Sequence, residues 1–195
     1  AVQAHEIQPS VSDISVGPDQ VTLDIELTLE SLVAGIDMQT VSNTNDAPQA
    51  ERYDALRAMP PSALEAELRA AWGSLQEGFL LAAGDTSLTA ELQSVTIPET
   101  GDIELPRDSK ITVTAQLPDD GTPVTVGWIA ANGPLIVRQL GGGDDAYAAL
   151  LEPGLSTVPL PRIGFATETA GSVFMRFIVQ GFEHIIPKGL DHIVF

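Results

Sequence analysis

From Val21 to Leu29 the chain alternates without a break: Val21, Leu23, Ile25, Leu27 and Leu29 fall on one side, and Thr22, Asp24, Glu26 and Thr28 on the other. A two-residue period of this kind predicts a strand with one buried face. Gly17-Pro18-Asp19 supplies a turn before it, and Ile7 to Val16 is the expected partner strand. Ile111 to Leu117 alternates as well, and Val124 to Ala130 places Val124, Val126 and Trp128 on one face. Pro134 to Leu140 reads as a strand behind the Asn132-Gly133 turn signal. Weaker strands are predicted over Ser87 to Ile97, Ala146 to Leu151 and Leu155 to Leu160. Short alternating strands separated by turn residues predict a mainly β protein, an antiparallel, Ig-like β-sandwich.

One helical pattern interrupts the strands. Ser62-x-x-Glu65 behind Pro60-Pro61 has the form of a capping box, and Leu64, Leu68, Ala71, Trp72, Leu75 and Phe79 follow at helical spacing. Gly84 is the expected stop, and a shorter helical turn is expected around Glu51 to Ala58. Residues 49–83 therefore read as a helical insertion in a sandwich spanning 7–166. Beyond a linker at Thr167 to Gly171, Val173, Phe174, Phe177, Ile178, Gly181 and Ile185 recur near one face of a second helical stretch, which Pro187 should bend or end. Residues 172–195 are expected to form an amphipathic helix on a membrane surface and then the start of a transmembrane helix. Only six residues remain from Leu190 onward, against the ~20 apolar residues that a spanning helix needs. The expectation is thus a fragment of a longer membrane protein or a truncated gene product.

Charge narrows the partners. With 27 acidic and nine basic residues the net charge is −18, which argues against nucleic acid and anionic lipid surfaces, where Lys and Arg make the contacts. It fits the outer side of a membrane. The chain has no cysteine, so disulfides, thiolate metal sites and cysteine nucleophiles are excluded. Val2-Gln3-Ala4 resembles a signal-peptidase site, making residues 1–6 a signal-cleavage region with His5 the expected mature N-terminus.

Candidate chemistry concentrates at the C-terminus, where His184, Asp191 and His192 stand inside an apolar run. Ionisable groups are costly in such a setting and are functional candidates by default. Imidazole nitrogens with a carboxylate suit nickel, zinc or copper. His5 and Glu6 are a weaker metal-binding candidate, through the terminal amine and imidazole together. Asp119-Asp120 and Asp144-Asp145 read as solvated turns, Asp24 and Glu26 as a polar strand face, and Trp72, Trp128, Tyr53 and Tyr147 as core or interface aromatics. Serines have no histidine nearby in sequence, so no catalytic triad is expected and no enzyme.

The run Gly181-Phe182-x-His184-Ile185 followed by Gly189-x-Asp191-His192-Ile193-x-Phe195 resembles the first membrane segment of the HupE/UreJ family, hydrogenase and urease accessory proteins regarded as nickel permeases or related metal transporters. One branch of that family carries a large extracytoplasmic domain ahead of its helices. The better-known permeases space the motif His-x5-Asp-His; here one more residue intervenes, which turns a helix by about 100° and leaves the metal open among nickel, cobalt, zinc and copper. The resemblance implies a bacterial inner-membrane protein with residues 5–170 on the periplasmic or extracellular side. Its implied partners are the lipid bilayer, downstream transmembrane helices and a divalent metal ion as transported substrate, with His184, Asp191 and His192 in the path. A membrane-anchored adhesion or assembly module, binding a protein partner without transport, is the other class this composition allows.

Overall fold

The computed structural model describes residues 8–41, 43–102, 105–141 and 146–164. These residues are mainly β. Two strands open the chain, β1 (Ser10–Val16) and β2 (Gln20–Thr28), and they pair antiparallel across the Gly17-Pro18-Asp19 turn, with Ile14 opposite Leu23 and Val16 opposite Val21. Val21, Leu23, Ile25 and Leu27 are all buried, as the alternation requires.

The alternation misleads at its end. Leu29 is not a strand residue; it opens a short helix, α1 (Leu29–Ala34), whose six residues are all buried. Leu29, Leu32 and Val33 lie three to four residues apart, so the apolar positions pass from a strand period to a helical one at Leu29, which fits both. Gly35, at φ 73°, ends the helix, with its amide and that of Ile36 donating to Leu32 O and Ser31 O.

Two further helices follow, α2 (Ala50–Arg57) and α3 (Pro61–Leu75). The capping box is not formed: α3 starts at Pro61 with Pro60 as its N-cap, and Ser62 is already inside the first turn. A proline at the first helical position lacks only an amide that would have no helical partner, so it starts the helix one residue earlier. Glu65 turns outward instead and meets Arg69 one helical turn on, at 2.7 Å. Leu64 and Leu68 are fully buried. The helix stops at Leu75, well before Gly84, so Phe79 belongs not to the helical stripe but to β3 (Phe79–Ala83). The stretch read as one insertion over 49–83 is therefore two helices followed by a strand. Trp72 meets Phe79 at a tilt and Phe79 meets Trp128 edge to face, with ring centroids 5.5 Å and 6.5 Å apart, and the three join the helix to the strands.

The remaining strands are β4 (Thr86–Ser87), β5 (Glu91–Thr96), β6 (Asp108–Gln116), β7 (Val124–Trp128), β8 (Leu135–Gln139) and β9 (Ala148–Leu151). They form two sheets: six strands in the order β5-β6-β2-β1-β8-β9, and three in the order β4-β3-β7. Pairing is antiparallel except between β1 and β8, which run parallel. Asn132-Gly133 does not close a hairpin, because β7 and β8 belong to different sheets and residues 129–134 carry the chain between them. Both sheets and all three helices contribute to one buried cluster that runs from Ile14 through Leu64 and Val126 to Leu160. No helix among the described residues is long and apolar enough to cross a membrane.

Candidate functional site

The metal candidates His184, Asp191 and His192, and the weaker pair His5 and Glu6, lie outside the described residues, as do the helical segment expected over 172–195 and the Asp144-Asp145 loop. Among the described residues no group of three or more His, Asp or Glu side chains could hold a metal ion. What the structure does show is how the chain is held as it runs toward the C-terminal motif.

Residues 155–164 form a strap along the free edge of β7. Val124 and Leu160 exchange two backbone hydrogen bonds, at 2.9 and 2.7 Å. The Thr157 amide donates to Val126 O at 2.8 Å, and the Val126 amide donates to Thr157 Oγ1 at 3.1 Å. Leu160 is completely buried and plugs the core at this edge. The strap crosses so closely that a Cβ placed on Gly127 would stand 2.4 Å from Leu155 O. Only glycine admits that approach.

Arg162 then fastens the strap. Its side chain is 6% exposed, yet its charge meets mostly neutral oxygens. Nη1 donates to Pro118 O at 2.6 Å and to Pro18 O at 3.0 Å, Nε donates to Thr122 O at 2.9 Å, and Nη2 reaches Asp120 Oδ1 at 3.4 Å. The planar guanidinium offers five donors in a fixed fork, which suits a ring of carbonyls in a way a lysine ammonium does not. These acceptors come from the β1–β2 turn and the β6–β7 turn, which lie side by side because the Leu117 amide donates to Asp19 O. The β3–β4 turn joins them, since a Cβ on Gly84 would touch Thr122 at 3.1 Å. One end of the sheets thus carries Asp19, Asp85, Asp119 and Asp120, all exposed. The carboxyl of Asp120 is held below the ordinary aspartate range, first by the hydrogen bond it accepts from the Thr122 amide. Ile163, 94% exposed, leaves the fold at this same end. Asp119-Asp120 is a turn, as its sequence suggests, but it is also the seat of the Arg162 latch, which nothing in the spacing reveals.

The opposite end holds a second arginine assembly that sequence reasoning missed. Glu30, wholly buried on α1, accepts from Arg107 at 2.8 Å and from Arg57 at 3.4 Å, both on Oε1. Its Oε2 is buried with no hydrogen-bond partner among the described residues. Arg107 also donates to Leu56 O and Met59 O, at the carbonyl end of α2, and Arg57 to Asp102 O. The cluster ties α1, α2 and the loop before β6 together.

Two surface grooves lie elsewhere on the described residues. One, of about 580 Å³, runs along the small sheet and is lined by Leu80, Ala82, Leu88, Thr125 and Ser156, with Glu77 at its rim. The other, of about 340 Å³, lies on the outer face of the large sheet, where Arg138 grips Asp13 through two bonds and Lys110 pairs with Glu26. Asp24 and Glu26 thus stand on a polar face, Asp24 accepting from Thr112 at 2.7 Å. Trp128 and Tyr147 are buried as expected, and so is Tyr53, whose hydroxyl burial pushes up in pKa. Set against known proteins, the chain matches no family's sequence profile and no curated protein.

Proposed function

We propose that this chain is the extracytoplasmic domain of a HupE/UreJ-like membrane protein that takes part in transport of a divalent metal, with an Ig-like β-sandwich standing over the entrance of the transporting helices. The observation that carries the reading is His184, Asp191 and His192 within an apolar stretch, a placement that costs energy unless the groups are used. The net charge of −18 supports an outer-face location and a field that concentrates cations. In this reading His184, Asp191 and His192 offer nitrogen and oxygen ligands to the passing ion, and further ligands come from other helices.

The test is metal uptake in cells expressing the full-length protein, comparing wild type with His184→Ala and Asp191→Ala across Ni²⁺, Co²⁺, Zn²⁺ and Cu²⁺. Collapse of one metal's uptake in both variants, at unchanged membrane expression, is the expected result. Wild-type uptake of every metal in both variants would sink the transport reading. A binding module without transport then becomes the better account, and the groove walled by Leu80, Ala82 and Leu88 is the observation that favours it.

A further inference from the structure

We infer that Arg162 fixes the pose of this domain, so that the end bearing the Gly17-Pro18-Asp19, Gly84-Asp85 and Pro118–Thr122 turns faces the membrane surface. The inference rests on the membrane-protein reading above and adds to it which face of the domain meets the bilayer. Three observations carry it. The strap is held to β7 by four hydrogen bonds and by the buried plug of Leu160, so its course is fixed up to that point. Arg162 then binds backbone oxygens from two different turns, which sets the position of the chain two residues before Gly164. Finally, Ile163 and Leu140 are exposed apolar side chains at this same end, Leu140 being placed there by its amide's bond to Ile14 O near the close of β1.

The opposite end, where Glu30 is buried, lies about 30 Å away, the length of the nine residues of β2 at ~3.3 Å each. A domain tethered only by a flexible linker would present both ends to the bilayer alike. One whose tether is clamped at a single end keeps that end nearest the lipid. Arg162 acts here as a positioning residue, not as a ligand for any substrate. The four exposed aspartates at this end would face the entrance of the helices, so the pose also decides where the domain's negative field is strongest.

The chain contains no cysteine, so single labels can be placed cleanly. A fluorophore at Asp85→Cys reports the latched end, and one at Glu99→Cys, in the exposed loop after β5, reports the other. With the full chain in phosphatidylcholine vesicles, quenching by a headgroup spin-labelled lipid should be stronger at Asp85→Cys than at Glu99→Cys. Adding Arg162→Ala, or Arg162→Lys, which keeps the charge but not the fork, should shrink that difference, since the tether is then held only as far back as Leu160, while the melting transition stays cooperative. Equal quenching at both positions, or stronger quenching at Glu99→Cys, in chain that floats with the vesicles overturns the pose and leaves membrane attachment standing. A difference that persists undiminished in both Arg162 variants overturns the role of Arg162. Chain that neither floats with vesicles nor is quenched at either position overturns the membrane reading, and the pose with it.

Discussion

At the end of the sheets where β2 gives way to α1, two arginines meet one carboxylate inside the protein; at the opposite end a single arginine meets backbone carbonyls. Both sets of guanidinium groups are nearly out of water, with Arg57 and Arg107 4% exposed and Arg162 6% exposed. Their energetics differ in kind. The Glu30 cluster is a balance of buried charges, in which each ion is tolerable only while its partner is present. Arg162 has no buried counter-charge to lose, since Asp120 is 57% exposed and stands at 3.4 Å. Its stabilisation is geometric: one planar fork satisfies oxygens from turns that are distant in sequence. The first arrangement locks helices together, while the second locks the course of the strap.

The comparison breaks first at Glu30. Glu30→Gln keeps the shape but takes from the buried guanidinium groups of Arg57 and Arg107 the carboxylate they share, and loss of one partner from a buried pair costs about 3–5 kcal/mol. The urea midpoint should fall accordingly. A loss below about 1 kcal/mol would mean that water reaches the cluster and that the pairing behaves as a surface one. Next comes Gly127→Ala at the strap. An added methyl 2.4 Å from Leu155 O has to displace backbone, and overpacking of that kind costs about 1–3 kcal/mol. The accompanying sign should be faster hydrogen exchange at the Val124, Thr157 and Leu160 amides, with the amides of β2 unchanged. An unaffected strap would show that residues 155–157 can lift away from β7 at little cost.

Much of the β framework was legible because burial imposes a period of two. Val21 to Leu27 and the face of Val124, Val126 and Trp128 could be read directly, since the large apolar residues recur at every second position. The reading failed where one apolar pattern served two periods, as at Leu29, and where the first apolar residue of a strand fell at helical spacing from the stripe before it, as Phe79 does from Leu75. Sheet order was not legible, because the parallel pairing of β1 with β8 joins residues 125 positions apart, such as Asp13 and Arg138. Neither arginine assembly left a local signal. Glu30, Arg57 and Arg107 come together from separations of 27 and 77 residues, and the acceptors of Arg162 are carbonyls, which any residue supplies. The metal candidates are the reverse case, conspicuous in sequence because charge inside an apolar run needs no fold to be noticed.

The smallest expected effect comes from Asp108, the first residue of β6, and it tests whether the negative charge of the Glu30 end reaches its surface. Burial pushes the Asp108 carboxyl above its ordinary value, and repulsion from Glu26 and Glu30 adds to the rise, with Arg57 opposing it. A carboxyl whose folded-state value is raised binds its proton more tightly in the native state than in the unfolded chain. Its contribution to stability is therefore fully present below the ordinary aspartate value of ~3.9 and is lost as pH climbs through the raised value. Asp108→Asn removes the ionisation while keeping the size. The variant should melt slightly above wild type at neutral pH, and the two melting curves should converge below the ordinary aspartate range. The Asp108 side chain is only partly shielded from water, so solvent screening keeps the gain small. The same substitution made together with Glu30→Gln should give a smaller gain, because one of the repelling charges is already gone. An equal gain in both backgrounds would show that Glu30, neutralised by its two arginines, exerts no field at Asp108, and the contrast between the two ends would then be confined to the protein interior.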